Sequence, residues 1–503
     1  MRIGKRASLS LFVSALLLFG CASGEADPPG ASRLASPAQR LALATCRVPV
    51  LAPDFQSVLP GDGEAARCGT FSVPENRGRP GRMLPLKVIV IPSRSAAPAE
   101  PIFFLAGGPG QAATELAPGF AASPHRAERD IVLMDVRGTG EGTRLDCAEG
   151  GSDADIQSWL EPLFHAGTAY AACRDALAAR ADLTQYTTPK AMEDLDELRQ
   201  ALGYERIVIE GGSYGTRAAM TYIRMFGDRV RAATLLSLVP IENRAPLFHA
   251  AAAQRAFERV ADQCAADAAC RSAFPDVRGD LAAILARLRA APARVTLPHP
   301  VTDAPTEVSI TASAFGDALR VFLYSGEASR EVPLLLSQAR AGDFAPFARA
   351  ALQSSRGLAT AVRMGLLLSF TCSEDVHRIR GDEIARATAG SFIGDGRVRG
   401  QIAACSVWPR GEVPADYYRP FRSNVPVLLV SGDLDPVTPP SWGEVARRTF
   451  PSSVHLVMPG GHTPGSPCID RIARQLYRTG TVRGLDTSCA AAERLPPFAL
   501  PRR

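Results

Sequence analysis

Ser213 lies in the string Ile207-Val208-Ile209-Glu210-Gly211-Gly212-Ser213-Tyr214-Gly215-Thr216. A β-branched run precedes it and a helical pattern follows it. G-x-S-x-G in that setting predicts a strand that turns sharply into a helix, with the serine hydroxyl held out on the turn. Glycines two before and two after the serine remove side chains that would clash in so tight a turn. A serine presented this way is a nucleophile once a neighbouring base takes its proton.

Five histidines follow Ser213: His249, His299, His377, His455 and His462. His299 sits between prolines and His377 in a charged stretch. His455 lies inside the apolar run Val454–Met458, where a strand would fix its side chain. His462 follows Pro459-Gly460-Gly461, a turn just past that strand, and is the expected base. The acid is sought after the apolar run Val425–Ser431, which leads into Gly432-Asp433-Leu434-Asp435-Pro436. Asp435 lies further out and precedes a proline that restricts its backbone. It is favoured over Asp433 as the group that orients the imidazole without taking the proton. After the run Ile102–Leu105 comes Ala106-Gly107-Gly108-Pro109-Gly110. Backbone N–H groups near Gly108 and at Tyr214 are the expected oxyanion donors. The chemistry of this set is acyl transfer through Ser213, Asp435 and His462, with no cofactor and no metal.

Those residues need a scaffold. Leu86–Ile91, Ile102–Leu105, Ile131–Met134, Ile207–Ile209 and Thr234–Leu238 read as strands between helical patterns. Pro189 to Leu202 reads as an amphipathic helix capped by Thr188 and ended by Gly203. Such alternation implies a largely parallel sheet with helices on both faces. From about residue 241 to 415 the texture changes to long Ala-, Leu- and Arg-rich runs: Leu247–Cys270, Leu281–Ala290 and Ala359–Phe370. This predicts a helical lid inserted between strands. Strand Val454–Met458 and helix Ile469–Tyr477 follow. The order serine, acid, histidine is that of the α/β-hydrolase fold.

The amino terminus reads as a targeting segment. Arg2, Lys5 and Arg6 precede the apolar run Leu9 to Phe19, too short to span a bilayer. Gly20-Cys21 at its end resembles a bacterial lipoprotein cleavage site. Residues 1–21 are then the signal peptide ending at the lipidated Cys21, and 22–45 a flexible tether. Residues 46–240 and 416–503 form the two parts of the core, and 241–415 the lid. The expected address is an exported membrane lipoprotein, on the outer membrane facing the periplasm in a Gram-negative host. A soluble periplasmic or secreted protein is the alternative. There are 11 cysteines, and setting Cys21 aside leaves an even number. Close spacings suggest the bridges Cys46–Cys68, Cys147–Cys173, Cys264–Cys270, Cys372–Cys405 and Cys468–Cys489. Net charge is +5 over 503 residues, carried by scattered arginines, which does not suggest nucleic-acid binding.

Taken in order, Ala106-Gly-Gly-Pro-Gly110, Asp135-Val-Arg-Gly-Thr-Gly140, Gly211-Gly-Ser-Tyr-Gly215, Gly432-Asp-Leu-Asp435 and Gly460-Gly-His462 resemble the proline iminopeptidase and tripeptidyl aminopeptidase branch of the α/β-hydrolases. The resemblance covers roughly residues 60–495. It implies a serine exopeptidase that cuts peptides near a free amino terminus, of prolyl or tripeptidyl type. Ala106 stands where proline iminopeptidases commonly carry histidine, which leans toward the larger secreted tripeptidyl members. Asp135 and Arg137 are expected to brace their loop. The segment Thr371–Asp375 is similar to an acidic segment of the secreted members, so Glu374 or Asp375 would hold the substrate α-ammonium group. A carboxylesterase with the same triad is the alternative, and a silent tethered binding protein is a third reading. Peptide is the expected partner, with the membrane reached through Cys21; the sequence leaves the oligomeric state open.

The apolar run ending at Gly20-Cys21 carries one expectation to test. The mature chain should begin at Cys21 with attached acyl groups. Mass spectrometry of the native amino-terminal peptide checks this, and an unmodified start beyond Cys21 would refute it.

Overall fold

The β-branched runs assemble into one nine-stranded sheet in the computed structural model, which describes residues 36–51, 57–79, 81–147, 151–164 and 167–501. The strands of this sheet are β1 (Leu41–Val48), β2 (Glu64–Pro74), β3 (Met83–Ile91), β4 (Ala99–Leu105), β5 (Arg129–Met134), β6 (Ile207–Gly212) and β7 (Val230–Leu236). After the short pair β8 (Ala293–Pro298) and β9 (Pro305–Ile310), the sheet is completed by β10 (Val427–Gly432) and β11 (Ser453–Met458). The spatial order is β1-β2-β3-β5-β4-β6-β7-β10-β11. β1, β2, β3 and β5 pair antiparallel; every neighbouring pair from β5 through β4 to β11 is parallel. The chain leaves β4 toward β5 and returns to β6 on the other side. The loops after β4 and β6 therefore meet at a topological switch point, where open α/β sheets bind ligands.

The parallel strands are apolar on both faces, as a sheet covered by helices on both sides requires. In β10, Val427 and Leu429 join the large cluster that holds Phe103 and Ile209. Leu428 and Val430 face the other way, onto Ile472 and Leu476 of the helix Pro467–Thr479. Each such side chain contributes about 1.5–3 kcal/mol on burial.

Several sequence expectations need correction. The tether expected over 22–45 does not hold from Pro37 onward. Pro37–Arg40 is a 3-10 helix and Leu41–Val48 pairs with β2 from Leu41↔Phe71 to Val48↔Glu64. Its Leu-Ala-Leu-Ala composition hides a half-exposed edge strand, fixed by the Cys46–Cys68 bridge. Residues 22–35 and Cys21 lie outside the described residues. The helix expected from Pro189 begins at Thr188, with Thr187 as its cap residue. The run Ala359–Phe370 is not one helix, because it divides into Ala345–Ala361 and Met364–Glu374.

 The break after Ala361 is made by docking: Arg363 N–H donates to Gly110 O at 3.0 Å, and its buried guanidinium donates to Thr360 O at 2.8 Å and pairs with Glu115.

Between β7 and β10 the chain builds the insertion, largely helical as expected. It has its own core, where Phe315 stacks on Phe347 at 3.7 Å and Phe257 packs against Phe392. The hairpin β8–β9 within it is a further departure from the sequence reading. Each of its strands shows only two buried alternate positions, Val295 and Leu297 on β8 and Val308 and Ile310 on β9, too short a period-two signal to stand out among helical runs.

The five suggested bridges are all formed: Cys46–Cys68, Cys147–Cys173, Cys264–Cys270, Cys372–Cys405 and Cys468–Cys489. Non-reducing peptide mapping of the native protein should recover these five pairs and no free thiol among the ten cysteines. Free thiols in that material, or exchanged partners, would contradict this arrangement.

Candidate active site

The turn after β6 begins the site. Ser213 has φ 55° and ψ −124°, a conformation that non-glycine residues rarely adopt and that costs on the order of 1–3 kcal/mol. The strain persists because its surroundings leave no alternative. A side chain at Gly215 would put its Cβ 2.0 Å from Leu105 O, and one at Gly211 would stand 2.6 Å from Gly215 O. The helix Tyr214–Phe226 is thus pressed against the end of β4, and Ser213 N–H is tied to Leu236 O at 2.9 Å. The Ser213 hydroxyl makes no hydrogen bond among the described residues and lines a cavity of about 930 Å³. In unliganded enzymes, catalytic hydrogen bonds often form only when substrate is bound.

His462 lines the same cavity, on the loop after β11. Its Nδ1 lies 2.9 Å from Asp435 Oδ2. Asp435 is wholly buried after β10. Its Oδ1 accepts the N–H groups of Val437 at 2.9 Å and Thr438 at 2.7 Å. Its Oδ2 also accepts the hydroxyls of Ser237 at 2.7 Å and Thr438 at 2.8 Å. Burial alone would raise the Asp435 pKa, but the His462 charge and these hydrogen bonds outweigh it and hold the group below its ordinary value. Asp433 faces elsewhere: Arg259 Nη2 donates to it at 3.1 Å and Gln263 at 3.2 Å. His455 is equally removed, bonded to Ser431 Oγ at 2.9 Å and Glu444 at 2.6 Å.

Three close approaches hold the His462 loop. A Cβ at Gly432 would be 1.7 Å from Gly461 O, and one at Gly461 would be 2.2 Å from Tyr324 O. His462 N–H donates to Tyr324 O at 2.8 Å, so the insertion fixes the histidine from outside the sheet. Ser237, at φ 61°, accepts Thr463 N–H at 2.7 Å while donating to Asp435. Sequence reasoning missed this serine. It follows β7 and has no motif to mark it.

Gly108 and Tyr214 both line the cavity beside Ser213. Gly108 has φ +106°, and a Cβ there would sit 2.6 Å from Gly110 N, so only glycine fits. A Cβ on its neighbour Gly107 would lie 3.3 Å from Ser213 Cβ. Tyr214 is the first residue of its helix, where N–H groups lack an intrahelical acceptor and the helix dipole favours negative charge.

The acidic segment divides. Glu374 does not line the cavity. Its Oε1 accepts Thr188 N–H at 2.6 Å, and its Oε2 accepts Thr188 Oγ1 at 2.8 Å and Tyr417 OH at 2.7 Å. Burial pushes its pKa up to about 6. The expectation that Glu374 meets a substrate amine is therefore corrected: it closes a buried network that joins the insertion to the helix Thr188–Ala201. Asp375 does line the cavity, paired with Arg217 Nη1 at 2.6 Å. Burial pushes its carboxyl above the ordinary value despite Arg217. Asp135 and Arg137 are bracing residues, as expected. Asp135 accepts Thr114 N–H at 2.8 Å and Thr114 Oγ1 at 2.9 Å, and Arg137 pairs with Asp194 at 2.8 Å.

Sequence reasoning also missed a second charged group in the cavity: His249, Asp317, Arg320 and Arg397. Burial, then the charges of Arg397, Arg320 and His462, push the His249 pKa well below its ordinary value. Asp317 and Arg320 are neighbours on one helix, but His249 and Arg397 lie far from them in the chain, and no local pattern joins the three positions.

A strained serine after one strand, an acid–histidine pair after two others and a helical insertion over the sheet define an α/β hydrolase. The chain has that fold. The α/β hydrolase fold family matches residues 100–309, which include Ser213, and the TAP-like protein family matches residues 390–489, which include Asp435 and His462. The chain is 30% identical over 299 residues to "Serine protease Hip1" of Mycobacterium tuberculosis, a match covering 54% of this chain and 55% of that protein. The Mycobacterium bovis protein of the same name matches equally. The chain therefore spans about half the length of these curated relatives. Among solved structures, proline iminopeptidase of Mycobacterium smegmatis is 16% identical with a TM-score of 0.40, covering 82% of this chain and 98% of that one. A thermophilic esterase of Thermogutta terrifontis is 14% identical with a TM-score of 0.33, covering 82% and 99%. Likenesses this distant do not bear on the reaction.

The geometry separates the two aspartates sharply. Asp435→Asn should lower kcat/KM by about four orders of magnitude, since it disturbs the imidazole tautomer. Asp433→Asn should change it less than about fivefold, because it removes only a partly exposed ion pair. Steady-state kinetics on both variants checks this; the reverse ranking would overturn the assignment of the acid.

Proposed function

We propose that the chain is a serine peptidase that works through an acyl-enzyme and cuts near a free amino terminus. The observation that carries the proposal is the Asp435–His462 contact at 2.9 Å beside a cavity that also receives the strained Ser213. His462, with Nδ1 held by Asp435, takes the Ser213 proton at Nε2. The serine oxygen attacks the peptide carbonyl. The N–H groups of Gly108 and Tyr214 receive the oxyanion, His462 hands the proton to the leaving amine, and water then releases the acyl group by the same base.

The amino-terminal preference rests on the motif resemblance and on Asp375. That carboxylate reaches the cavity and could share its charge between Arg217 and an α-ammonium group. The carboxylesterase reading has one observation in its favour. Glu374 is saturated by its donors and Asp375 already has a cation, so neither carboxylate is without a partner.

Matched peptides decide between them. Substrates with an unblocked amine should be cleaved at least about 30-fold faster than their acetylated forms, as expected for losing one partner of a desolvated charge pair. Ser213→Ala should abolish both activities by about four to six decades. Equal rates on blocked and unblocked peptides would remove the aminopeptidase reading. Ester turnover without amide turnover would favour the esterase.

A further inference from the structure

The cavity holds more positive charge than its own carboxylates answer. Arg217 is matched by Asp375, and Arg320 by Asp317 at 3.1 Å. Arg320 also donates to Tyr324 OH at 2.9 Å. Arg397 has no such match. Its Nε and Nη1 are shielded from solvent and have no hydrogen-bond acceptor. The guanidinium feels the charge of Asp317, but that carboxylate bonds Arg320.

Arg397 is also fixed in place. Its guanidinium lies over the Phe164 ring at 4.4 Å. The helix Gly396–Val407 that carries it approaches so closely that a Cβ at Gly400 would stand 2.1 Å from Phe164 O. A guanidinium presents five donors in a planar fork that fits a carboxylate bidentately. Leaving such a group buried and unpaired is costly, and burial lowers the Arg397 pKa to about 10. Nearby His249, whose charged form burial and these arginines disfavour, leaves Arg397 Nε and Nη1 without an acceptor, and its own buried Nδ1 also lacks a partner.

We propose that Arg397 is a specificity-determining residue that takes a carboxylate of the substrate, from either an acidic side chain or the free carboxyl terminus of the leaving piece. The inference rests on the peptidase reading for the identity of the substrate. It extends that reading from the reacting bond to the group recognised beyond it. Arg397 lines the same cavity as Ser213 and His462, and its charge is felt at His249 together with that of His462. The carboxylate would therefore sit on the insertion side of the histidine.

The test uses the full chain and unblocked peptides in matched pairs. One arm compares a free carboxyl terminus with its amide; the other compares Glu with Gln at each position. The wild type should prefer the carboxylate by about 30-fold in kcat/KM in one arm, and that arm names the source. In Arg397→Gln the ratio should fall close to one, and in Arg397→Lys it should be partly restored. A cooperative thermal transition of each variant confirms folding. No preference in either arm of the wild type would overturn the proposal, whether or not the variants fold. A preference that survives in folded Arg397→Gln would do so too. If no peptide is cleaved although a fluorophosphonate labels Ser213, the peptidase reading has failed, and protection decides separately. Glutarate should then slow labelling of the wild type and not of Arg397→Gln; no protection of the wild type would refute the carboxylate site.

Discussion

The structure around the site depends on keeping one carboxylate ionised out of water. Asp435 is fully buried, and its oxygens receive Val437 N–H, Thr438 N–H, Thr438 Oγ1, Ser237 Oγ and His462 Nδ1. A buried charge without such partners costs several kcal/mol. Satisfying it requires the ends of β7, β10 and β11 to converge at one point. Gly432 and Gly461 follow from that demand, since side chains at either would drive the loops apart. The insertion is part of the same construction, because Tyr324 O receives His462 N–H and fixes the ring's approach. Removing the insertion would therefore disturb the histidine as well as uncover the cavity.

The cavity itself is a problem in charge pairing. Its acids and bases are mostly tied to one another, Arg217 with Asp375 and Arg320 with Asp317, while Glu374 is absorbed in a network with Thr188, Tyr417 and Tyr214. Groups satisfied in this way hold the insertion against the sheet. Arg397 stands apart because its neighbours are an aromatic face and another cation's partner. In the proposed reaction, the acyl-transfer parts lie at the sheet and recognition lies on the insertion. The α/β scaffold can then keep one chemistry while the insertion varies.

What the sequence made legible was local. Ser213, Asp435 and His462 each stand at a strand end, in a turn whose glycines or proline mark the conformation needed, so their positions could be read from short strings. The central strands were readable for the same reason: runs such as Val427–Gly432 are buried throughout and leave no helical alternative. The rest was hidden wherever a tertiary contact decided the outcome. Leu41–Val48 becomes a strand because β2 and a disulfide hold it, although its composition suited a tether. Glu374 and Asp375 are adjacent in sequence, yet one faces a buried network and the other the cavity. Ser237 and Arg397 carry no motif, and only the folded chain brings them to the site.

The proposed reaction requires that His462 activate Ser213. It is tested most directly by fluorophosphonate labelling followed by peptide mapping, comparing the wild type with His462→Ala. A single labelled residue, Ser213, is expected, with a labelling rate at least about a hundredfold lower without the base. Label on another residue, or equal labelling of Ser213 in both proteins, would contradict it.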